Sequence, residues 1–228
     1  EHSLAVDFFE AYFELGGGAA DTSLAFAHSL RELRRMELAL DWYYRSVGLR
    51  PTSAEYANEL IDFLLELGRF EEAISAIASL TGGHPKEDPF WRAKLAVIQT
   101  QWSLSRKPAS DRRQLLQLPS FDRRDFYVPL VVDSEKNFVL FQVDASNSQN
   151  QINRQTVESL KEGLHSEKSK SSLQVVKDSA QVGPWVLNQM SFAVCEECPL
   201  QLGQPFLKNF ETAQTYQDLT EYLILALK

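Results

Sequence analysis

A spacing of 34 residues runs through the first half of this chain. Ala5, Ala39 and Ala73 stand 34 apart, and so do Pro51, Pro85 and Pro119. A fixed period of this length is the mark of a helix pair repeated along the chain, because one pair cannot bury its apolar stripe alone and stacked pairs can. Small residues recur where helices cross closely. The best copy is residues 54–87. There Leu60 precedes a helical face, Gly68 opens the turn between helices and Phe70 packs after it. Ala73 and Ile77 follow at helical spacing, and Pro85 ends the unit.

The copy at 20–53 keeps Ala39, Tyr43 and Pro51, and a degenerate copy at 88–121 keeps Trp91 at its aromatic position and Pro119 at its end. Before them, Leu4 to Leu15 reads as the second helix of an earlier unit, closed by Gly16-Gly17-Gly18. The units are thus about 1–19, 20–53, 54–87 and 88–121. Glu1 opens the chain with no Met and no signal peptide, so a processed or truncated form is expected, with an array that begins upstream. Met36 and the aromatic and Leu positions read as helix core, not as a cofactor box.

In period and small-residue positions this stretch resembles the tetratricopeptide repeat. The resemblance implies that the first helix of each pair lines a concave groove. Leu24, His28, Arg31 and Glu32 would stand there, followed by Glu55, Asn58, Asp62, Leu65 and Glu66. The second set is acidic. A protein or peptide partner with a basic or apolar segment is therefore expected, rather than a carboxylate tail; a solvated face without a ligand is the alternative.

The formal charge of −8 runs against nucleic acid or an anionic membrane as partner. No apolar run reaches the roughly 18 residues of a membrane span. From Ser105 to Asp125 the chain carries two prolines and five arginines, the composition of a junction. Arg112 to Leu118 is expected to form a short last helix, and the domain boundary falls between 121 and 122.

After Phe126 the apolar period becomes two. Phe126 to Val132 reads as a strand, with Pro129 placing it near an edge. Residues 133–137 form a hairpin turn, and Phe138 to Val143 is the returning strand. Phe141 and Val143 alternate into Asp144, a polar turn follows (Ala145, Ser146, Asn147, Ser148), and a helix runs from Asn153 to about Glu162, closing at Gly163. His165 to Ser172 reads as a polar loop. Leu173 to Val176 and Trp185 to Val194 are strands about a Gly183-Pro184 turn. Leu200 to Leu207 (LQLGQPFL) pairs an apolar-Gly step with an aromatic-Leu step. Tyr222, Ile224 and Ala226 alternate, yet Leu219, Tyr222, Leu223 and Ala226 also fit a helix.

Strand, carboxylate, tight turn and helix together resemble the active-site corner of the retropepsin-like aspartic proteases, whose motif is D-T-G-A-S or D-S-G-A-S. Asp144 falls on the catalytic Asp, Ser148 on the motif's Ser, Ile152 on its apolar anchor and Leu160 on an apolar helix position. Leu202-Gly203 and Phe206-Leu207 match the segment behind that corner, apart from the polar Gln201. The resemblance, strongest to bacterial proteins of this domain pairing, covers about Tyr127 to Leu227 and implies a closing hairpin (Thr212–Tyr216, Glu221–Leu227). It also implies a dimer, since hydrolysis in this family needs two carboxylates sharing a proton and one such domain supplies one.

Two positions depart from the motif: Ala145 replaces its hydroxyl residue and Ser146 its Gly. Ala145 loses cross-axis hydrogen bonds worth about 1 kcal/mol each. Ser146 intrudes on the carboxylate, and Ser146 or Ser148 bonding to Asp144 would stabilise the ionised form and oppose proton sharing. The fold class expected is α+β multidomain: an all-α helical-repeat solenoid (1–121), then a small, mostly β, retropepsin-like barrel (122–228). The function expected is a protein-interaction scaffold with an inactive protease-like domain. The alternative is a homodimeric aspartic endopeptidase using Asp144 from each chain, and the plainest reading makes Asp144 a turn residue capping local backbone. No cofactor or metal site is expected. Cys195 and Cys198 lack a second pair or a nearby His, and read as ordinary small residues, a local disulfide or a redox pair. Cytoplasm and cell envelope both stay open.

Overall fold

Ala39 and Ala73, two of the alanines that set the 34-residue spacing, are fully buried in the packed helices. A computed structural model describes residues 2–104, 115–121, 125–131, 137–160, 164–168, 173–217 and 220–228, with 164–168 and 173 described by backbone alone. Six helices fill the first part: α1 (His2–Glu14), α2 (Ala20–Glu32), α3 (Met36–Leu49), α4 (Ala54–Glu66), α5 (Phe70–Leu80) and α6 (Pro89–Leu104). Each packs on the next in chain order. No side chain caps the N-termini of α2 to α5. Burial holds them instead: Leu30, Tyr43, Leu60, Phe63 and Ile74 are fully enclosed, and each such side chain contributes about 1.5–3 kcal/mol.

Leu116–Ser120 is a strand, β1, not the end of a helix. Leu116 and Leu118 alternate into the second core while Gln117 faces the helices, a period of two that the expected Arg112–Leu118 helix cannot satisfy. Residues 112–114 of that expected helix lie outside the described residues. Strand structure therefore starts ahead of residue 122, and Pro119 ends no helical unit. It sits in an edge strand, where its missing N–H costs nothing.

The strands that follow are β2 (Tyr127–Val131), β3 (Phe138–Val143), β4 (Gln151–Asn153), β5 (Leu164–Lys168), β6 (Leu173–Val182), β7 (Trp185–Cys195), β8 (Gln201–Leu202), β9 (Phe210–Gln217) and β10 (Thr220–Leu227). Two short helices join them, α7 (Arg154–Ser159) and α8 (Gln204–Leu207). One sheet runs β1-β10-β9; the other runs β2-β3-β8-β4-β7-β6-β5, with Val131 of β2 also meeting Gln181 of β6. The closing hairpin forms as expected, and pairing on both sides decides β10 for strand over helix. Asn153 caps α7 through the Thr156 N–H (2.9 Å), and the helix stops at Ser159, short of the expected Glu162. Part of the expected 165–172 loop is strand β5, paired to β6 from Leu164↔Lys177 to Lys168↔Leu173. Residues 133–136 of the expected hairpin turn, and Gly163, lie outside the described residues.

The helical and β parts each have a core, and residues of the β part also enter the helical one. Phe121, Val131 and Tyr222 join the helical cluster, and Tyr44 of α3 lies 5.3 Å edge-on from Tyr222. Beneath them Arg69 and Glu72, both buried, form an ion pair; the Arg69 guanidinium also reaches Gln117 of β1 at 3.4 Å. The Phe121 N–H donates to Ser79 Oγ at 3.1 Å. The turn after α5 lies on β2: a Cβ at Gly83 (φ +83°) would come within 2.8 Å of the Tyr127 ring, so this approach needs glycine.

Candidate functional site

β3 ends at Val143, and Asp144 follows where the chain leaves the sheet. Two observations fix that corner. The Asp144 N–H donates to Leu202 O at 3.0 Å, and Val143 pairs in parallel with Leu202. Behind it, Gly203 lies so close to the turn that a Cβ there would sit 2.5 Å from the carbonyl oxygens of both Asn147 and Gln149. The Leu202-Gly203 segment thus backs the Asp144 turn, with Ile152 and Phe206 buried beneath.

Side chains that the motif does not name hold the turn further. Asn150, buried, accepts from the Gly203 N–H (3.0 Å) and donates to Ser191 O (3.1 Å). Gln204 donates to Ala145 O at 2.6 Å, and the Asn147 amide donates to Gln201 Oε1 at 3.0 Å. Gln201 is polar because it has this partner. Within the run Ser146 to Gln151 nothing in period or composition separates Asn150 from its neighbours; only burial does.

Asp144 Oδ1 accepts two hydrogen bonds from one residue: the Ser146 hydroxyl at 2.6 Å and the Ser146 N–H at 2.9 Å. These bonds, the hydroxyl's first, hold the Asp144 carboxyl below the ordinary aspartate range. Ala145 and Ser148 are exposed, and Leu160 is partly buried against the β core. The carboxylate opens on a hollow of about 740 Å³ whose walls include Phe126, Leu207, Thr212, Gln214 and Leu223. Asp178-Ser179, an Asp-Ser step elsewhere in the chain, lies inside β6 rather than at a strand end.

The expected groove residues lie on α2 and α4. Arg31 meets Glu66 at 2.6 Å and His28 meets Glu59 at 3.4 Å, tying α2 to α4. Lys94 of α6 bonds both Asn58 and Asp62, tying α4 to α6. Glu32 and Glu55 are exposed, while Leu24 and Leu65 pack against the helical core. Asp62 and Glu66 are therefore met by Lys94 and Arg31 of the chain itself, which reduces the pull on a basic segment that their sequence alone implies. Lys94 escaped notice because its partners lie 32 and 36 residues away.

Cys195 and Cys198 are joined as a disulfide at the end of β7. Among the described residues no cluster of side chains could hold a metal ion, and no helix is long and apolar enough to cross a membrane.

No family model and no curated protein matches this chain. Among solved structures, a retropepsin-like aspartic protease from Rickettsia conorii is similar at 15% identity and a TM-score of 0.38, over 50% of this chain and 93% of that one.

Proposed function

We propose that this protein is an interaction scaffold: a tetratricopeptide-like helical array joined to a retropepsin-like β domain that has kept the aspartate corner and lost its catalysis. The observation that carries this reading is the Ser146 hydroxyl on Asp144. An aspartic protease needs one carboxyl protonated and one ionised, each able to turn toward a shared water. Here the hydroxyl occupies an oxygen of the carboxylate and favours its charge. Ala145 offers no hydroxyl to brace a second turn. The helices then bind a protein partner, and the pairing of the α4 acids favours an apolar segment over a basic one.

A second reading rests on a different observation. β9 is an edge strand exposed beyond its first residue, and its Thr212 and Gln214 line the same hollow as Asp144. Pairing of two copies there would support a homodimeric aspartic endopeptidase with Asp144 from each chain and substrate recruited by the helices. Sedimentation at micromolar concentration, with an unstructured polypeptide incubated alongside, separates the readings. The scaffold leaves the polypeptide intact at either mass; the endopeptidase requires both a dimer and cleavage that Asp144→Asn abolishes.

A further inference from the structure

β3 is paired along its whole length on one side only. Residues 138–142 match β2 from Val131 to Tyr127 and Val143 bonds to Phe126 just before it, whereas on the other side β8 covers Gln142 and Val143 alone. Which backbone groups face that second side follows from alternation. The Val143 N–H bonds to Phe126 O at 2.8 Å, so odd-numbered residues turn to β2. The Gln142 N–H bonds to Leu200 O at 2.9 Å and that of Asp144 to Leu202 O, so even-numbered residues turn away. Leu140 and Phe138 therefore point their N–H and C=O groups to the side where, among the described residues, no strand lies. Pro129 opposite Leu140 fits this assignment, because that pair exchanges no hydrogen bond.

This open edge is half-buried. It borders a cleft of about 560 Å³ between the two parts of the chain. Phe138, Val139 and Leu140 form one wall, and Leu160 and Leu200 add apolar surface. Thr156 and Ser159 of α7 supply hydroxyls, and the 83–87 turn closes the helical side. The unmatched backbone groups of Phe138 and Leu140, set beside apolar side chains with polar residues at the rim, fit a ligand that brings its own alternating backbone donors and acceptors and buries apolar side chains between them.

We propose that this cleft takes an extended, aliphatic-rich peptide segment of a partner protein, added as a strand to β3 at Phe138–Leu140 in line with β8. The site is distinct from the Asp144 hollow. The inference rests on the interaction reading above and names where and how the β domain does its binding.

The test uses the full chain and a short fluorescein-labelled peptide of alternating valine and threonine, with two comparison peptides. One is the same sequence N-methylated at alternate amides, which cannot pair along one edge. The other is a serine-glycine peptide of equal length. Fluorescence anisotropy is expected to show saturable binding of the first peptide alone, weakened at least about tenfold by N-methylation. Ser159→Trp, which fills the cleft from an exposed position, is expected to weaken binding at least about tenfold, while Gln155→Trp on the same helix leaves it unchanged. Amide exchange at Leu140, slowed by the peptide, gives a readout that does not depend on a variant folding. No saturable binding, equal binding of the N-methylated peptide, or an unaffected Ser159→Trp overturns the proposal. Mass spectrometry of the peptide separates the two readings: an intact, unbound peptide sinks the cleft alone, whereas cleavage lost in Asp144→Asn sinks the inactive scaffold.

Discussion

The Ser146 hydroxyl lies 2.6 Å from Asp144 Oδ1, and the Ser146 N–H donates to the same oxygen from 2.9 Å. A serine where the protease motif has glycine thus does more than crowd the turn. It fills one oxygen of the carboxylate and shifts the balance toward the charged form, against the shared proton that an aspartic protease uses.

The first prediction concerns protonation. NMR titration of the Asp144 side chain should give a midpoint below the ordinary aspartate range, and Ser146→Gly should move it back up. The sign follows from linkage: a depressed folded pKa contributes stability that is present above the unfolded value and lost as pH falls through the folded one. Wild type should therefore lose more stability than Ser146→Gly on acidification through that window, by a small amount because the carboxylate is open to solvent.

Gly203 should tolerate no side chain. Gly203→Ala places its Cβ 2.5 Å from two backbone carbonyl oxygens, neither of which can swing aside as a side-chain end could. A loss of about 1–3 kcal/mol in urea unfolding is expected. Crosspeaks of residues 144–150 should shift more than those of the helices.

The buried Arg69–Glu72 pair ties α5 to β1 at the seam. Glu72→Gln leaves the enclosed guanidinium with only the solvent-exposed Glu37 carboxylate, 3.5 Å away, as counter-charge, at a cost of at most about 3–5 kcal/mol. Because Phe121, Val131 and Tyr222 of the β part are built into the helical core, helical circular dichroism and tryptophan fluorescence should lose signal in a single coincident transition, in wild type and variant alike.

The Cys195–Cys198 bond closes a very short loop. The chain-entropy relation gives about 2 kcal/mol for such a closure. Cys195→Ser with Cys198→Ser should therefore cost no more than that, and thiol titration under denaturing conditions should find no free thiol before reductant and both after.

Much of this architecture is legible in the residues. Helical spacing of apolar and small residues marks helices such as α3 and α5, with Ala39 and Ala73 buried, alternation marks β2 and β3, and the resemblance rather than the period implies the β9–β10 hairpin. β1 escapes, because its five residues carry only two alternating leucines and a proline that suits a helix end equally well. β4 and β8 escape because strands of three and two residues hold no period at all; they exist through pairing with β3, β7 and each other. At the corner, Asp144 and Leu202-Gly203 can be read from sequence as a matched pair. Asn150, Gln204 and the open edge of β3 cannot, since each depends on a contact between residues far apart in the chain.

The most direct measurement is cleavage of an unstructured polypeptide followed by mass spectrometry from about pH 3 to pH 7, the range over which a shared carboxyl proton can work. Wild type, Asp144→Asn and Ser146→Gly are run side by side. Wild type and Asp144→Asn are expected to yield the same background at every pH. Products formed by wild type and absent with Asp144→Asn would contradict this and restore Asp144 as a catalytic residue.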